Sequence, residues 1–228
     1  MKKPVVDYRK FRPNKLFTPE FRHLNWLFGW VWYLIMYLLT ENLIPVEKCH
    51  PVHSVIDDII PFCEVFVIPY VFWYLLIVIS LGYFALYDIK SFCDLSKFIL
   101  ITQVVAMIIY IVFPTRQDLR PAMETLPDNF CADIVRMLYT ADTNTGVCPS
   151  LHVAYSVGIV SVWLKYKPAH WLWKTFVVIA AVLICLSTMF IKQHSAVDFF
   201  VALIVCLLAE IIVYYKRFKN ILTKNSKV

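Results

Sequence analysis

Three short stretches of the chain place ionisable side chains beside long apolar runs. They read FPTRQDLRP at 113–121, CPSLHV at 148–153 and STMFIKQHSAVD at 187–198. Ionisable groups beside membrane-like sequence are costly, so they usually have a partner or a function. The side chains that could do chemistry are Arg116, Arg120, Ser150, His152, His194 and Asp198.

The third stretch pairs a histidine with a carboxylate. His194 and Asp198 are four residues apart, so on a helix they share one face. A carboxylate that contacts one imidazole nitrogen fixes the tautomer and leaves the other nitrogen free to attack a substrate. The spacing therefore favours a nucleophilic histidine, although a simple helix-stabilising pair would produce the same spacing.

The other two stretches offer groups suited to an anion. Ser150 follows a proline and precedes an apolar run, so it is a predicted helix N-cap, and the free N–H groups at such an end attract anions. His152 would lie in the first turn of this helix. There it would either contact a bound anion or have a structural role at the helix end. Arg116 and Arg120 would bind a phosphate or anchor the chain at the membrane interface.

The rest of the sequence indicates a membrane protein. It is 60% hydrophobic and only 17% charged over 228 residues, which is too apolar for a soluble domain of this size. Helices of roughly 20 apolar residues cross a bilayer, and within lipid only helices or closed barrels satisfy their backbone groups. We predict an all-α bundle of six transmembrane helices, one in each apolar block, at 24–40, 65–87, 98–115, 143–164, 175–191 and 194–215.

This layout places the candidate residues on one side of the membrane. Two passes separate His152 from His194, and the arginine stretch follows the third block on that same side. Of the 22 Lys and Arg residues, 17 fall in the termini and the connections of the opposite side. The positive-inside rule then makes both termini cytoplasmic and the active site extracytoplasmic.

The domain organisation follows from the same pattern. We expect a cytoplasmic basic N-terminus at 1–23, one membrane domain at 24–215 and a cytoplasmic basic tail at 216–228. The net charge of +6 is explained by ends that face anionic lipid, so no nucleic-acid partner is expected. In the long outer loop, Phe130, Ile134 and Leu138 recur every four residues, which predicts a short amphipathic helix.

The three stretches, taken in order, resemble the type 2 phosphatidic acid phosphatase superfamily, and most of all its inositol phosphorylceramide synthase branch. The resemblance implies that His194 is a nucleophile that forms a phosphohistidine, that Asp198 orients it and that His152 protonates the leaving alcohol. It also implies that no metal or cofactor takes part. Phosphoryl oxygens would be held by Arg120, Ser150, Ser187 and backbone N–H groups near Leu151.

Two positions depart from the usual pattern of that superfamily. Phe113 stands where a lysine is usual, and Thr188 where an arginine is usual. Arg116 and Lys192 would supply the missing positive charge, since both are predicted in the outer turns.

The resemblance implies an integral membrane phosphatase that acts on a lipid phosphate. A close alternative is a phosphotransferase that passes a phosphoryl headgroup to a lipid alcohol, and a more distant one is a non-catalytic lipid-binding or transport protein. Neither the lipid nor the oligomeric state can be predicted from the sequence.

The first outer loop offers a weaker alternative, a metal site formed by Cys49, His50, His53 and Asp57. These are metal ligands by type, but they lie in a proline-broken loop, where such clusters are often only solvated. The cysteines expected on or near the outer side could also form a disulfide, with a pairing that the sequence leaves open; they are Cys49, Cys63, Cys131 and Cys148.

Overall fold

The computed structural model describes residues 3–225, and the side chains of residues 3–215. The described chain is mostly helical and has almost no strand, which confirms the all-α class. Its helices are α1 (Phe28–Leu43), α2 (Val55–Ile59), α3 (Val67–Tyr87), α4 (Ile89–Val112), α5 (Phe130–Ala141), α6 (Leu151–Lys165), α7 (Trp171–Phe190) and α8 (Ala196–Asn225). Two-residue strands β1 (His50–Pro51) and β2 (Thr115–Arg116) pair in parallel and join the two outer loops. Short 3₁₀ turns occupy Tyr8–Lys10, Pro13–Lys15, Arg22–Leu27, Val46–Lys48, Glu64–Phe66 and Met123–Thr125.

Four helices in the described chain are long and apolar enough to cross a membrane. They lie at 64–87, 89–112, 171–190 and 196–215. The other two predicted spans coincide with shorter helices, α1 with 16 residues and α6 with 15. α6 starts at Leu151, directly after the predicted N-cap Ser150. The first residues of the apolar block, 143–147, are not helical, because they bond to β2 and its neighbours.

Helix α6 lies at the centre of the bundle and packs against α3, α4, α7 and α8. Small residues allow this close approach: a Cβ on Gly158 would come within 2.6 Å of the Phe98 ring of α4. Tyr155, Ile159 and Phe98 are buried there almost completely. The site residues at the start of α6 therefore belong to a helix that is closely packed in the core.

Apolar side chains also cover the outside of the bundle. Val78, Val112, Ile204 and Leu207 are each more than 60% exposed. A contiguous exposed apolar surface of this kind marks contact with a membrane or a partner. Together with the long apolar helices, it indicates an integral membrane protein.

The basic N-terminal segment packs against the ends of α3 and α4. The Tyr8 hydroxyl donates to the Ala85 carbonyl at 2.6 Å and lies 2.7 Å from Nε2 of His23. Phe21 is fully buried and the His23 ring meets Phe92 edge-on. Of the predicted basic tail, residues 226–228 and the side chains of 216–225 lie outside the described residues.

The amphipathic helix predicted in the outer loop exists as α5, and Ile134 and Leu138 of the predicted stripe are partly buried against the same apolar cluster. Ala132, Val135 and Tyr139 are buried against the start of α3, whereas Phe130 is 77% exposed. Tyr139 faces inward because its hydroxyl donates to the Ile191 carbonyl at 2.7 Å. A polar bond to a distant turn thus fixes the rotation of the helix.

Candidate functional site

His194 and Asp198 meet as their spacing predicts. Nδ1 of His194 lies 3.2 Å from Oδ2 of Asp198 at the start of α8. Asp198 is fully buried, and the same oxygen accepts the N–H of Ser195 at 3.0 Å. An imidazole whose Nδ1 faces a carboxylate presents Nε2 as its free nitrogen. Because His194 lines a cavity, this nitrogen is available to a ligand.

The half-buried His152 ring packs against two aromatic rings of α3. Its ring centroid lies 4.3 Å from that of Tyr70 and 4.0 Å from that of Trp73, at angles of 24° and 31°. Nε2 of His152 is buried with no hydrogen-bond partner in the described structure. The centroids of His152 and His194 are 6.0 Å apart, so a single small group placed between the rings would contact both.

The histidines border a cavity of about 710 Å³ between α1, α3, α5 and α6. Its wall is mainly apolar and includes eight tyrosine or tryptophan rings, and polar residues line it where the 141–147 loop and the 193–194 turn meet. A site of this size is concave and mainly apolar with few polar groups, as sites for small organic ligands usually are. Leu151 lines it beside His152.

Arg120 lies behind this end of the cavity. Its guanidinium donates to the carbonyls of Asp142 at 2.9 Å and Thr143 at 2.7 Å, and to Oε1 of Gln193 at 2.6 Å. Burial lowers the pKa of Arg120, but a guanidinium stays charged in proteins. Its Nε has no partner in the described structure. Arg120 therefore approaches the cavity mainly through Gln193.

Arg116 and Lys192 do not reach the cavity, contrary to the prediction. Arg116 pairs with Asp118 at 3.1 Å and donates to the Val46 carbonyl in the outer loops. The Lys192 ammonium donates to the carbonyls of Asp57 and Ile60, and burial lowers its pKa. Both cations are used to hold loops together, so neither replaces the missing basic residues at the histidines.

The two serines predicted to bind phosphate, Ser150 and Ser187, have different surroundings in the structure. Ser150 stands at the N-cap position of α6, but its hydroxyl makes no cap bond and is buried without a partner. Its N–H donates to the Asp198 carbonyl at 3.2 Å, which ties α6 to α8. Ser187 is not at the cavity, since its hydroxyl is buried inside α7 and donates to the Ile184 carbonyl at 2.6 Å.

Two residues of the site were missed in the sequence. Gln193 lines the cavity next to His194, is 3% exposed, and has an Nε2 amide with no described partner. Asp57 was considered only as a metal ligand. Its carboxylate accepts from the Ser195 hydroxyl at 2.6 Å and from the Ala196 N–H at 2.8 Å, at the start of α8. The Ser-x-x-Asp spacing of 54–57 was a usable signal, because it is close to a helix capping box.

The alternative metal site in the first outer loop is not assembled. Asp57 faces α8, His53 pairs with Asp58 at 2.8 Å, and the His50 ring stacks on Phe113. Across residues 3–225 no three His, Cys, Asp or Glu residues form a metal-binding group. All seven cysteines are free, so the possible outer disulfide is absent from the structure.

Comparison with protein-family models, with curated proteins and with solved structures finds no match to this chain. The site therefore has to be interpreted from its own geometry.

Proposed function

We propose that this chain is an integral membrane enzyme that hydrolyses a lipid phosphate through a phosphohistidine on His194. The observation that carries the proposal is the arrangement of His194, Asp198 and His152 at one end of a cavity. A carboxylate-bound imidazole and a second imidazole face the same space. Two such groups suit a nucleophile and a general acid in a two-step displacement.

In the first step, Nε2 of His194 attacks phosphorus and forms a P–N bond while the P–O bond to the lipid alcohol breaks. The leaving oxygen takes a proton from His152. In the second step, His152 accepts a proton from water, the water oxygen attacks phosphorus and the P–N bond breaks. Phosphate is released and both histidines return to their starting state.

Phosphoryl transfer also requires donors for the non-bridging oxygens. Three buried side-chain donors near the histidines have no partner in the described structure: the Gln193 amide in the cavity lining, the Ser150 hydroxyl two residues before His152, and Nε of Arg120 behind Gln193. Unsatisfied buried donors are costly, and a bound phosphoryl group would satisfy them. Their grouping supports an anion-binding role for this end of the cavity.

We propose that the chain crosses the membrane six times, with the site on the extracytoplasmic side. Helix α6 is about 22 Å long at 1.5 Å per residue, shorter than a hydrocarbon core of about 30 Å. The preceding residues 147–150 are all buried, and non-helical backbone is tolerated at membrane depth where protein encloses it. This would set the histidines below the membrane surface, at the depth of a lipid phosphate.

A phosphotransferase is the second candidate, and the size of the cavity favours it. About 710 Å³ is far more than one phosphate needs, and the aromatic wall could hold a lipid alcohol that attacks the phosphohistidine in place of water. A non-catalytic lipid-binding or transport protein is the third candidate, and it would bind lipid phosphates without turnover.

The test is an assay of the purified protein in lipid nanodiscs with ³²P-labelled phosphatidate, phosphatidylglycerophosphate and polyprenyl pyrophosphate. Release of labelled phosphate supports the hydrolase, and label in an added lipid alcohol supports the transferase. Acid-labile, base-stable label on the wild-type protein and none on His194→Ala is expected in both cases. Turnover that is unchanged in His194→Ala would refute the phosphohistidine route.

A further inference from the structure

Residues 3–23 form a folded N-terminal layer at the end of α3 that is far from the histidines. The N–H of Val5 donates to the Leu86 carbonyl at 2.8 Å, which bonds the layer to the last turn of α3. The fully buried Phe21 ring meets the Phe11 ring edge-on at 5.3 Å. Because these contacts hold the layer against the bundle, its outward side chains form a defined surface.

The outward side of the N-terminal layer is strongly basic. Residues 3–23 contain six Lys or Arg and only two acidic residues. One of these, Asp7, is paired with Arg9 at 2.8 Å, and the other, Glu20, is exposed. Three further exposed cations form no ion pair with any described side chain: Lys10, Lys15 and Arg22. Cations at the end of a membrane-embedded bundle lie where anionic lipid headgroups attract them.

An exposed aromatic ring lies in the same surface. Phe17 is 77% exposed, although Phe11 and Phe21 of the same layer pack against the protein. The chain then enters α1 through Leu27 and Phe28, which are exposed on the apolar outside of the bundle. Segments that bind the surface of a bilayer combine an apolar ring, which enters the lipid, with cations, which meet the headgroups. The N-terminal layer presents both.

We propose that the N-terminal layer is a docking surface for anionic phospholipid. Phe17 inserts between lipid molecules, and Lys10, Lys15 and Arg22 bind anionic headgroups around it. The net charge alone predicted only that the basic ends lie near anionic lipid, whereas the folded layer and its exposed ring define a site. The partner is the bilayer and not a second protein, because this surface is continuous with the apolar outside of the bundle. None of these four residues lines the cavity, so the inference does not rest on the proposed function.

The test follows position 17 in nanodiscs of defined lipid composition. In a background whose seven cysteines are replaced and whose fold is retained, Phe17→Cys carries an apolar, environment-sensitive fluorophore in place of the ring. The nanodiscs contain phosphatidylcholine with brominated acyl chains and increasing fractions of phosphatidylglycerol. As the phosphatidylglycerol fraction rises, we expect the emission to shift to shorter wavelength and the bromine to quench it. High salt should reverse both changes, because it screens exposed charges.

A single charge removed from the surface should weaken the insertion. Lys15→Gln should lower the ratio of inserted to withdrawn label about fivefold at a given phosphatidylglycerol fraction, the usual contribution of one lysine at an anionic membrane. Lys48→Gln is the matched control, since Lys48 is an exposed lysine of the first outer loop. It should leave the ratio unchanged.

Two results would overturn the proposal. Equal insertion with and without phosphatidylglycerol would show that the surface does not recognise anionic lipid. Absence of bromine quenching at every lipid composition would show that Phe17 does not enter the bilayer, and that any partner of this surface is a protein. Because the fluorophore reports insertion and not turnover, either result leaves the proposed function to the ³²P assay.

Discussion

His152 and His194 are chemically identical side chains whose surroundings suit them to different roles in the proposed displacement. His194 has a buried carboxylate on one nitrogen, which orients the ring and supports a positive charge on it. His152 has two ring faces and no hydrogen-bond partner on Nε2. The environment of His194 suits a nucleophile. The environment of His152 suits a group that exchanges a proton with a substrate oxygen.

The histidine roles predict different responses to mutation. His194→Ala should be inactive towards every substrate, because no phosphoenzyme can form. His152→Ala should lose turnover of lipid phosphates by about 10²–10⁴-fold, the usual contribution of a general acid. It should still give a burst of p-nitrophenol from p-nitrophenyl phosphate, because this leaving group needs little protonation. Rapid-quench measurement of the burst checks this, and a burst in His194→Ala but not in His152→Ala would exchange the two roles.

Gln193 should contribute to turnover through its amide. It connects Arg120 to the cavity at 2.6 Å and presents an unpartnered Nε2 beside His194. We expect Gln193→Leu to lower kcat/KM by roughly 10²-fold, since removal of one donor to a developing anion costs about that much. Gln117→Leu is the control, because Gln117 is equally buried but bonds only within the outer loop. If Gln193→Leu and Gln117→Leu lower kcat/KM equally per folded molecule, the role of Gln193 is structural.

At the scale of elements, the turn that bears His194 is held from several sides. Lys192 has a φ of +52° and binds carbonyls of the first outer loop, and Gln193 binds Arg120. The Ser195 hydroxyl and the Ala196 N–H both donate to Asp57. The N–H groups of Gln193 and His194 donate to the Thr188 carbonyl. Strain at a left-handed lysine persists only where the surroundings fix it, so this turn is pre-organised for its histidine.

Asp57→Asn should destabilise the protein in a pH-dependent way. Burial raises the pKa of Asp57, but hydrogen bonds from Ser195, Ala196 and Ser54 outweigh burial and lower it below its ordinary value of 3.8. The native state therefore holds the charged form more strongly than the unfolded state. The resulting stability is complete above pH 3.8 and is lost as pH falls through the lower native pKa. At pH 7 we expect Asp57→Asn to cost about 1–3 kcal/mol.

Thermal unfolding in nanodiscs between pH 3 and pH 7 measures this effect. Asp58→Asn is the control, because Asp58 is the adjacent residue, its side chain is 64% exposed and it pairs only with His53. The gap between wild type and Asp57→Asn should narrow towards pH 3, whereas Asp58→Asn should stay close to wild type at every pH. A constant gap would assign the effect of Asp57 to packing and not to its charge.

Local patterns in the sequence predicted the helical class, an apolar helix within each of the six blocks, α5 and the His194–Asp198 contact. Each of these depends on residues a few positions apart. The N-cap signal at Ser150 gave the start of α6 correctly. The apolar block around this helix was too long at its N-terminal end, because apolar composition alone does not reveal that residues 143–147 bond to β2. The places of Arg116 and Lys192 were wrong for a similar reason: their partners are carbonyls more than 60 residues away. Such partners have no sequence pattern.

At the scale of the whole molecule, activity should survive strong chelation. The proposed displacement takes its nucleophile from His194 and its oxyanion donors from protein groups, so no step requires a divalent ion. Turnover measured in EDTA, against a control in which EDTA is pre-saturated with Mg²⁺, checks this. Loss of turnover that a divalent ion restores would contradict the metal-free mechanism.

The last prediction concerns the orientation of the molecule. One end of the bundle carries His152, His194 and Arg120, whereas exposed lysines such as Lys167 lie at the other end. In the proposed six-span arrangement 17 of the 22 basic residues would fall on the Lys167 side, which should then be cytoplasmic. In a background whose seven cysteines are replaced and whose activity is retained, a cysteine at Asp128 should react with a membrane-impermeant maleimide in intact cells. One at Lys167 should react only after the membrane is permeabilised.

Both positions are exposed, so a difference in labelling reports the side of the membrane and not burial. Labelling of Lys167→Cys alone in intact cells would place the histidines on the cytoplasmic face and restrict the substrate to lipids of the inner leaflet.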